Sequence, residues 1–278
     1  MASDFSNSYD SFGFSTAGFV TDYMIGLVSI ICGSVTYCLL KKFKQTKVGG
    51  ITEKLYITFC LFTSAAAMSF FFGGLGHMLI AYYASKNESL GKQWGSANSL
   101  WMYPWLFAVF FMPVAALANL AVMLAAYDLS GLTSAIPYAL GLCIGVVEAV
   151  LMSSVSLLTT YSGSLSGALF MLSCCTCIVM ACIKAIKEKE EKGVGMWLIM
   201  GGNILICVGW LIVLLAPAGC RKYGQAVREC PYPNEFNQNP IFHIFIIAAV
   251  VTQFFGVKSY ANETEKRGEA WELTDLIK

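Results

Sequence analysis

Seven long apolar blocks constrain this chain more than any other feature. They run over Tyr23–Leu40, Leu55–Tyr83, Leu100–Ala126, Leu132–Leu158, Gly163–Ile183, Gly195–Leu215 and Phe236–Val257. A hydrocarbon core about 30 Å thick takes about 20 apolar residues per helix, and the blocks are of that order or longer. Inside lipid the backbone must satisfy its own N–H and C=O groups, which leaves helices and closed barrels. None of the blocks alternates polar and apolar residues, so the pattern points away from a barrel. The expected fold is all-α, a seven-transmembrane helix bundle over residues 23–257. Residues 1–22 read as a polar N-terminal tail and residues 258–278 as a C-terminal tail.

Composition agrees with a lipid environment. Apolar residues make up 57% of the chain and charged residues 13%, about half the charged share of a soluble domain. The net charge is only +1, with no concentrated basic face, which removes the case for nucleic acid as a partner. Lysine and arginine are distributed unevenly between the two ends of the blocks. One end carries Lys41, Lys42, Lys44, Lys47, Lys54, Lys184, Lys187, Lys189, Lys192, Lys258, Lys266, Arg267 and Lys278; the other carries Lys86, Lys92, Arg221, Lys222 and Arg228. By the positive-inside rule the N-terminus is outside or lumenal and the C-terminus cytoplasmic. Met1–Thr21 has no Lys or Arg, so the first block reads as an uncleaved anchor. A multi-pass protein of the plasma membrane or an endomembrane follows. The sequons at Asn87 and Asn262 fall on the outer and cytoplasmic sides of this topology.

Most of the 11 cysteines fall within the blocks. Cys174, Cys175 and Cys177 form a CCxC cluster, but on a helix they spread around the cylinder and read as small apolar residues rather than a soft-metal site. Cys220 and Cys230 lie in the last outer loop, where an oxidising compartment would let them pair as a disulfide. The glycines of GGLG (Gly73–Gly76) and Gly201-Gly202 permit close helix packing and would equally leave room for a ligand.

An ionisable residue inside a span is costly, so it is a functional candidate by default. Both histidines of the chain, His77 and His243, are in this class, and so is Glu148 in GVVEAV. At about 1.5 Å per residue, His77, Glu148 and His243 come out about 12, 5 and 6 Å outward of the midplane. Two imidazoles and a carboxylate at similar depth suit a divalent metal such as Zn²⁺ or a proton relay; otherwise each is satisfied separately by neighbouring helices. Asn119 and Asn203 lie deeper and read as interhelical hydrogen-bond pins. Tyr82, Tyr83, Trp101, Tyr103 and Trp105 fall where an outer aromatic belt is expected, and WMYPW could also line a lipid groove.

The stretch FNQNPIFHIFIIAAVVTQFFGV, with its early His243, resembles the last helix of the progestin and adipoQ receptor family, which belongs to a seven-helix superfamily with the alkaline ceramidases. His77, at the end of GGLGHM, is similar to the His late in the second helix of that superfamily. The resemblance implies an intramembrane Zn²⁺ site and hydrolysis of lipid amides or esters by a zinc-activated water. The chain departs from the pattern at three points: Asn239 stands where the first His of an HxxxH pair is expected, Gly73 replaces a Ser, and the Asp has no clear equivalent.

The candidate metal set is therefore His77, His243 and Glu148, with zinc as the implied cofactor, and the candidate ligand-binding set is Asn239, Tyr103 and Trp101. The leading expectation is a superfamily-like bundle with a degenerate metal site that binds a lipid or small molecule or serves as a non-catalytic membrane component. The alternatives are a zinc-dependent intramembrane lipid hydrolase and an accessory subunit of a larger complex. Membrane lipids are the expected partners, with protein partners at both termini, where GEAWELTDLI reads as a short amphipathic helix.

Overall fold

The computed structural model describes residues 16–44, 50–85, 102–127, 135–154, 159–187, 193–215 and 238–277. These residues form seven helices: α1 Thr16–Lys44, α2 Ile51–Ser85, α3 Met102–Ala126, α4 Ala135–Ser154, α5 Thr159–Lys187, α6 Val194–Leu214 and α7 Gln238–Ile277. There is no strand among the described residues. Six of the helices are long and apolar enough to cross a membrane. The exception is α4, whose apolar stretch among the described residues is Ile136–Val150, shorter than a full span. The ends of the outer helices extend beyond the blocks read from sequence. α1 takes in residues 16–22, and α7 continues as helix to Ile277.

The helices close into a ring in the order α1, α2, α3, α5, α6, α7 and back to α1, with α2 also touching α7; α4 stands outside, packed mainly on α3. α1 shows how a continuously apolar helix divides its faces. Ile25, Ser29, Cys32, Thr36 and Leu40 recur at helical spacing and are buried, while Val20, Met24, Leu27, Ile30, Ile31 and Val35 stay exposed on the other side. In a bilayer that exposed apolar face meets acyl chains. α3 is the most enclosed helix, with Val114–Ala118 buried without a break. Its alanines let neighbours approach closely, which is how helices associate where water supplies no driving force.

Glycines set the closest seams. A Cβ at Gly145 of α4 would lie 2.3 Å from the Phe110 carbonyl oxygen, and one at Gly141 would lie 2.8 Å from Val114 Cα. On α6, Gly195, Gly202 and Gly209 repeat every seven residues and face Tyr260, Gln253 and Ala249, and Phe242 of α7. Gly256 returns the contact from α7 onto Ile199. A seven-residue repeat keeps one seam in register along two helices.

At the end of the bundle where α3 and α5 finish, the Ala126 carbonyl accepts from Lys184 Nζ at 2.6 Å and Tyr260 Oη at 3.0 Å. The Lys184 ammonium lies over the rings of Tyr127 and Tyr260, and the Tyr127 hydroxyl donates to the Met180 carbonyl. These bonds use a carbonyl that the helix end leaves open. Nearby, Gly193 provides no side-chain cap for α6. Glu263 of α7 substitutes by accepting from the Gly195 N–H at 3.3 Å.

Candidate functional site

The upper end of the bundle, where α1 starts, gathers charged and titratable groups from three helices. Asp22 comes from α1, His77 from late in α2 and His243 from early in α7. All three are buried, Asp22 at 3% exposure, His77 at 8% and His243 at 3%. Asp22 Oδ1 lies 3.1 Å from His243 Nε2, and Asp22 Oδ2 lies 3.9 Å from His77 Nε2. The other nitrogen of His243, Nδ1, is 2.7 Å from Thr21 Oγ1.

Hydrogen-bond accounting fixes the protons around His243. Thr21 Oγ1 has one proton and stands 2.7 Å from the Ala17 carbonyl oxygen and 2.9 Å from that of Gly18, both of which only accept. The hydroxyl therefore donates back into its own helix and accepts from His243 Nδ1–H. With Nδ1 already a donor, the contact between Nε2 and Asp22 Oδ1 needs one further proton shared between them. The Asp22–His243 pair is thus neutral overall, which lowers the cost of placing it in an apolar setting.

Aromatic rings hold the imidazoles in place. Trp105 meets His77 edge-on with centroids 5.0 Å apart; Phe70 and Phe242 meet His243 at 5.7 and 5.4 Å. Below His243, Ser69, Phe70, Met112, Trp210, Phe242 and Ile246 line a small apolar cavity.

A second polar layer lies along α7 at Gln253, about 15 Å below His243 by helical rise. Gln253 Nε2 donates to Asn119 Oδ1 at 3.0 Å, Asn119 Nδ2 to Asn203 Oδ1 at 2.8 Å, and Asn203 Nδ2 to the Ile199 carbonyl at 2.9 Å. Cys174 and Cys177 adjoin Asn119, while Cys175 is exposed, so the cluster spreads around α5 as its spacing predicts. Asn119 and Asn203 are the interhelical pins read from sequence. Gln253 completes them.

The structure brings His77 and His243 together and adds Asp22, which the sequence pattern places in the N-terminal tail. The signal was present: the apolar stretch begins at Ala17, which makes Asp22 a carboxylate inside a span. Glu148 is buried on α4, whose main packing partner is α3, and it does not join the histidines. Asn239 is half-buried one turn before His243, and Tyr103 is half-exposed near the start of α3. Trp105, not Tyr103, is the member of WMYPW that packs on a site residue. Trp101, Cys220 and Cys230 lie outside the described residues.

Zinc is the group that the resemblance implies, and a carboxylate with two imidazoles is a suitable donor set in kind. The arrangement does not match it. Both nitrogens of His243 are engaged, by Thr21 and Asp22. Among the described residues no three His, Cys, Asp or Glu side chains stand where they would hold a metal ion.

Fold and site together define a multi-pass membrane protein with a buried carboxylate–imidazole cluster at one end of its bundle. No protein-family model matches the chain, and neither does any curated protein or solved structure at a significant level.

Proposed function

We propose that this chain is a seven-span membrane protein, N-terminus outside or lumenal and C-terminus cytoplasmic, that recognises a small molecule or lipid through Asp22, His77 and His243. The observation that supports recognition is Asp22 Oδ2. It is buried and has no hydrogen-bond partner among the described residues. An orphaned buried carboxylate oxygen costs about 1–3 kcal/mol or more, and a bound donor would recover that cost.

Native mass spectrometry of the full-length protein, purified in mild detergent, tests this. A small molecule or lipid retained by the wild type and lost from D22A and H243A is the expected result. A stoichiometric zinc ion lost from H243A would overturn the reading in favour of the metal-dependent lipid hydrolase. Identical spectra for all three proteins would overturn recognition at this site.

A further inference from the structure

The seam between α5 and α6 holds three thiols at one level. The two helices run antiparallel, with Gly167 of α5 against the Trp210 ring and Cys182 Sγ 3.7 Å from Met200 Sδ. Between those two contacts the register sets Cys174 and Cys175 opposite Cys207, and the Cys207 thiol is in hydrogen-bonding reach of both. The two α5 thiols have different surroundings. Cys174 is fully buried and accepts from Asn119 Nδ2 at 3.6 Å, which ties it to the amide layer. Cys175 belongs to the exposed stripe Leu172, Cys175, Val179 and Ile183, which meets acyl chains in a bilayer. Cys207 is half-buried beside it.

Depth decides the chemistry open to these thiols. Cys175 is at the centre of the apolar span Gly167–Lys184, and Cys207 is about 5 Å along its helix from the centre of Val194–Leu214. An isolated ion is strongly disfavoured in hydrocarbon, and so is a thiolate. Disulfide exchange and nucleophilic attack on peroxides need that thiolate, so both are suppressed at this depth. Transfer of a hydrogen atom moves no net charge and escapes the cost. We propose that Cys175 and Cys207 form a two-hydrogen donor that reduces lipid peroxyl radicals in the bilayer interior. One peroxyl radical takes the Cys175 hydrogen atom, becoming a hydroperoxide and leaving a thiyl radical. A second takes the Cys207 hydrogen atom, and the two thiyl radicals pair as an S–S bond. Two S–H bonds break and two O–H bonds form, and the sulfurs together lose two electrons, one to each peroxyl radical. A second thiol within reach thus ends the sequence in a disulfide rather than in a thiyl radical loose among acyl chains. The inference is independent of recognition at Asp22.

The test places the full-length protein in vesicles of dilinoleoyl phosphatidylcholine under air, with a lipid-soluble azo initiator as the radical source. Free thiols are then alkylated and the peptides mapped by mass spectrometry. The expected product is a Cys175–Cys207 disulfide, formed before oxidation of Cys143, which is exposed on α4. Oxygen uptake should show an inhibited period equal to two peroxyl radicals per protein chain, and C175V and C207A should each lose it. C175V changes a lipid-facing position, and the disulfide mapping on wild type needs no variant. Vesicles without initiator should leave both thiols intact. Cys207 linked to Cys174 with Cys175 still reduced would overturn the proposal, and so would oxidation of Cys143 as fast as Cys175. A disulfide formed equally in air without initiator would overturn the peroxyl chemistry.

Discussion

Asp22 and His243 join the first helix to the last, with the carboxyl oxygen 3.1 Å from the imidazole nitrogen and both side chains almost fully buried. Removing one partner leaves the other buried without its bond, so most of the penalty arises with the first truncation. D22A and H243A should each lower the unfolding free energy by about 1–3 kcal/mol. The double variant should lose clearly less than the sum of the two. Thermal or denaturant unfolding of the four proteins in one detergent measures the cycle. Strict additivity would mean that the two side chains act independently.

The amide layer makes a graded prediction. Asn119 donates to Asn203 and accepts from Gln253, so N119L removes both bonds and leaves two buried groups unpaired. Q253L removes only the bond at the end of the chain. Hydrogen bonds between membrane helices average about 0.6 kcal/mol each, and orphaned partners add to that. N119L should therefore cost more than Q253L, by about 1 kcal/mol. Equal losses would argue that the chain of amides is not the unit that holds α3, α6 and α7 together.

Much of this was legible in the sequence because lipid leaves a chain few choices. Apolar blocks of span length must become helices, and a lone amide such as Asn119 within one must find a partner on another helix. Which partner it finds depends on the rotation of each helix about its axis. A helix that is apolar on all sides gives little sign of that rotation, so Gln253 was not linked to Asn119. The same ambiguity made Glu148 look like a neighbour of the histidines, since depth was readable and azimuth was not. Asp22 was missed for another reason. The block read from sequence begins at Tyr23, whereas the apolar run extends back through Val20 and Phe19 to Ala17 and encloses the carboxylate.

Lys184 gives a prediction for the opposite end. Its ammonium donates to the Ala126 carbonyl and lies against Tyr127 and Tyr260, so one side chain ties α5 to the end of α3 and to α7. K184M keeps the apolar stem and removes the donor and the charge. The expected loss is about 1 kcal/mol. Hydrogen exchange should also rise in the last turns of α3 and stay unchanged near Asp22. Unaltered exchange at Ala126 would show that Tyr260, which donates to the same carbonyl, suffices to hold it.

Two adjacent glycines on α6 should respond oppositely to the same substitution. A methyl group at Gly202 would stand 2.9 Å from the Ala249 carbonyl oxygen and 2.4 Å from Gln253 Cγ. The backbone oxygen cannot move without shifting α7, and moving Gln253 would stretch its bond to Asn119. A methyl group at Gly201 would meet only Thr252 Cγ2 at 3.8 Å, an ordinary contact. G202A is therefore an overpacking change and should cost about 1–3 kcal/mol. G201A should match wild type or exceed it by a few tenths of a kcal/mol, because alanine favours the helix over glycine. Unfolding midpoints of the two variants measured side by side decide the matter. A tolerated G202A would mean that α6 and α7 are further apart than their glycine seam requires, and that the amide layer between them is correspondingly looser.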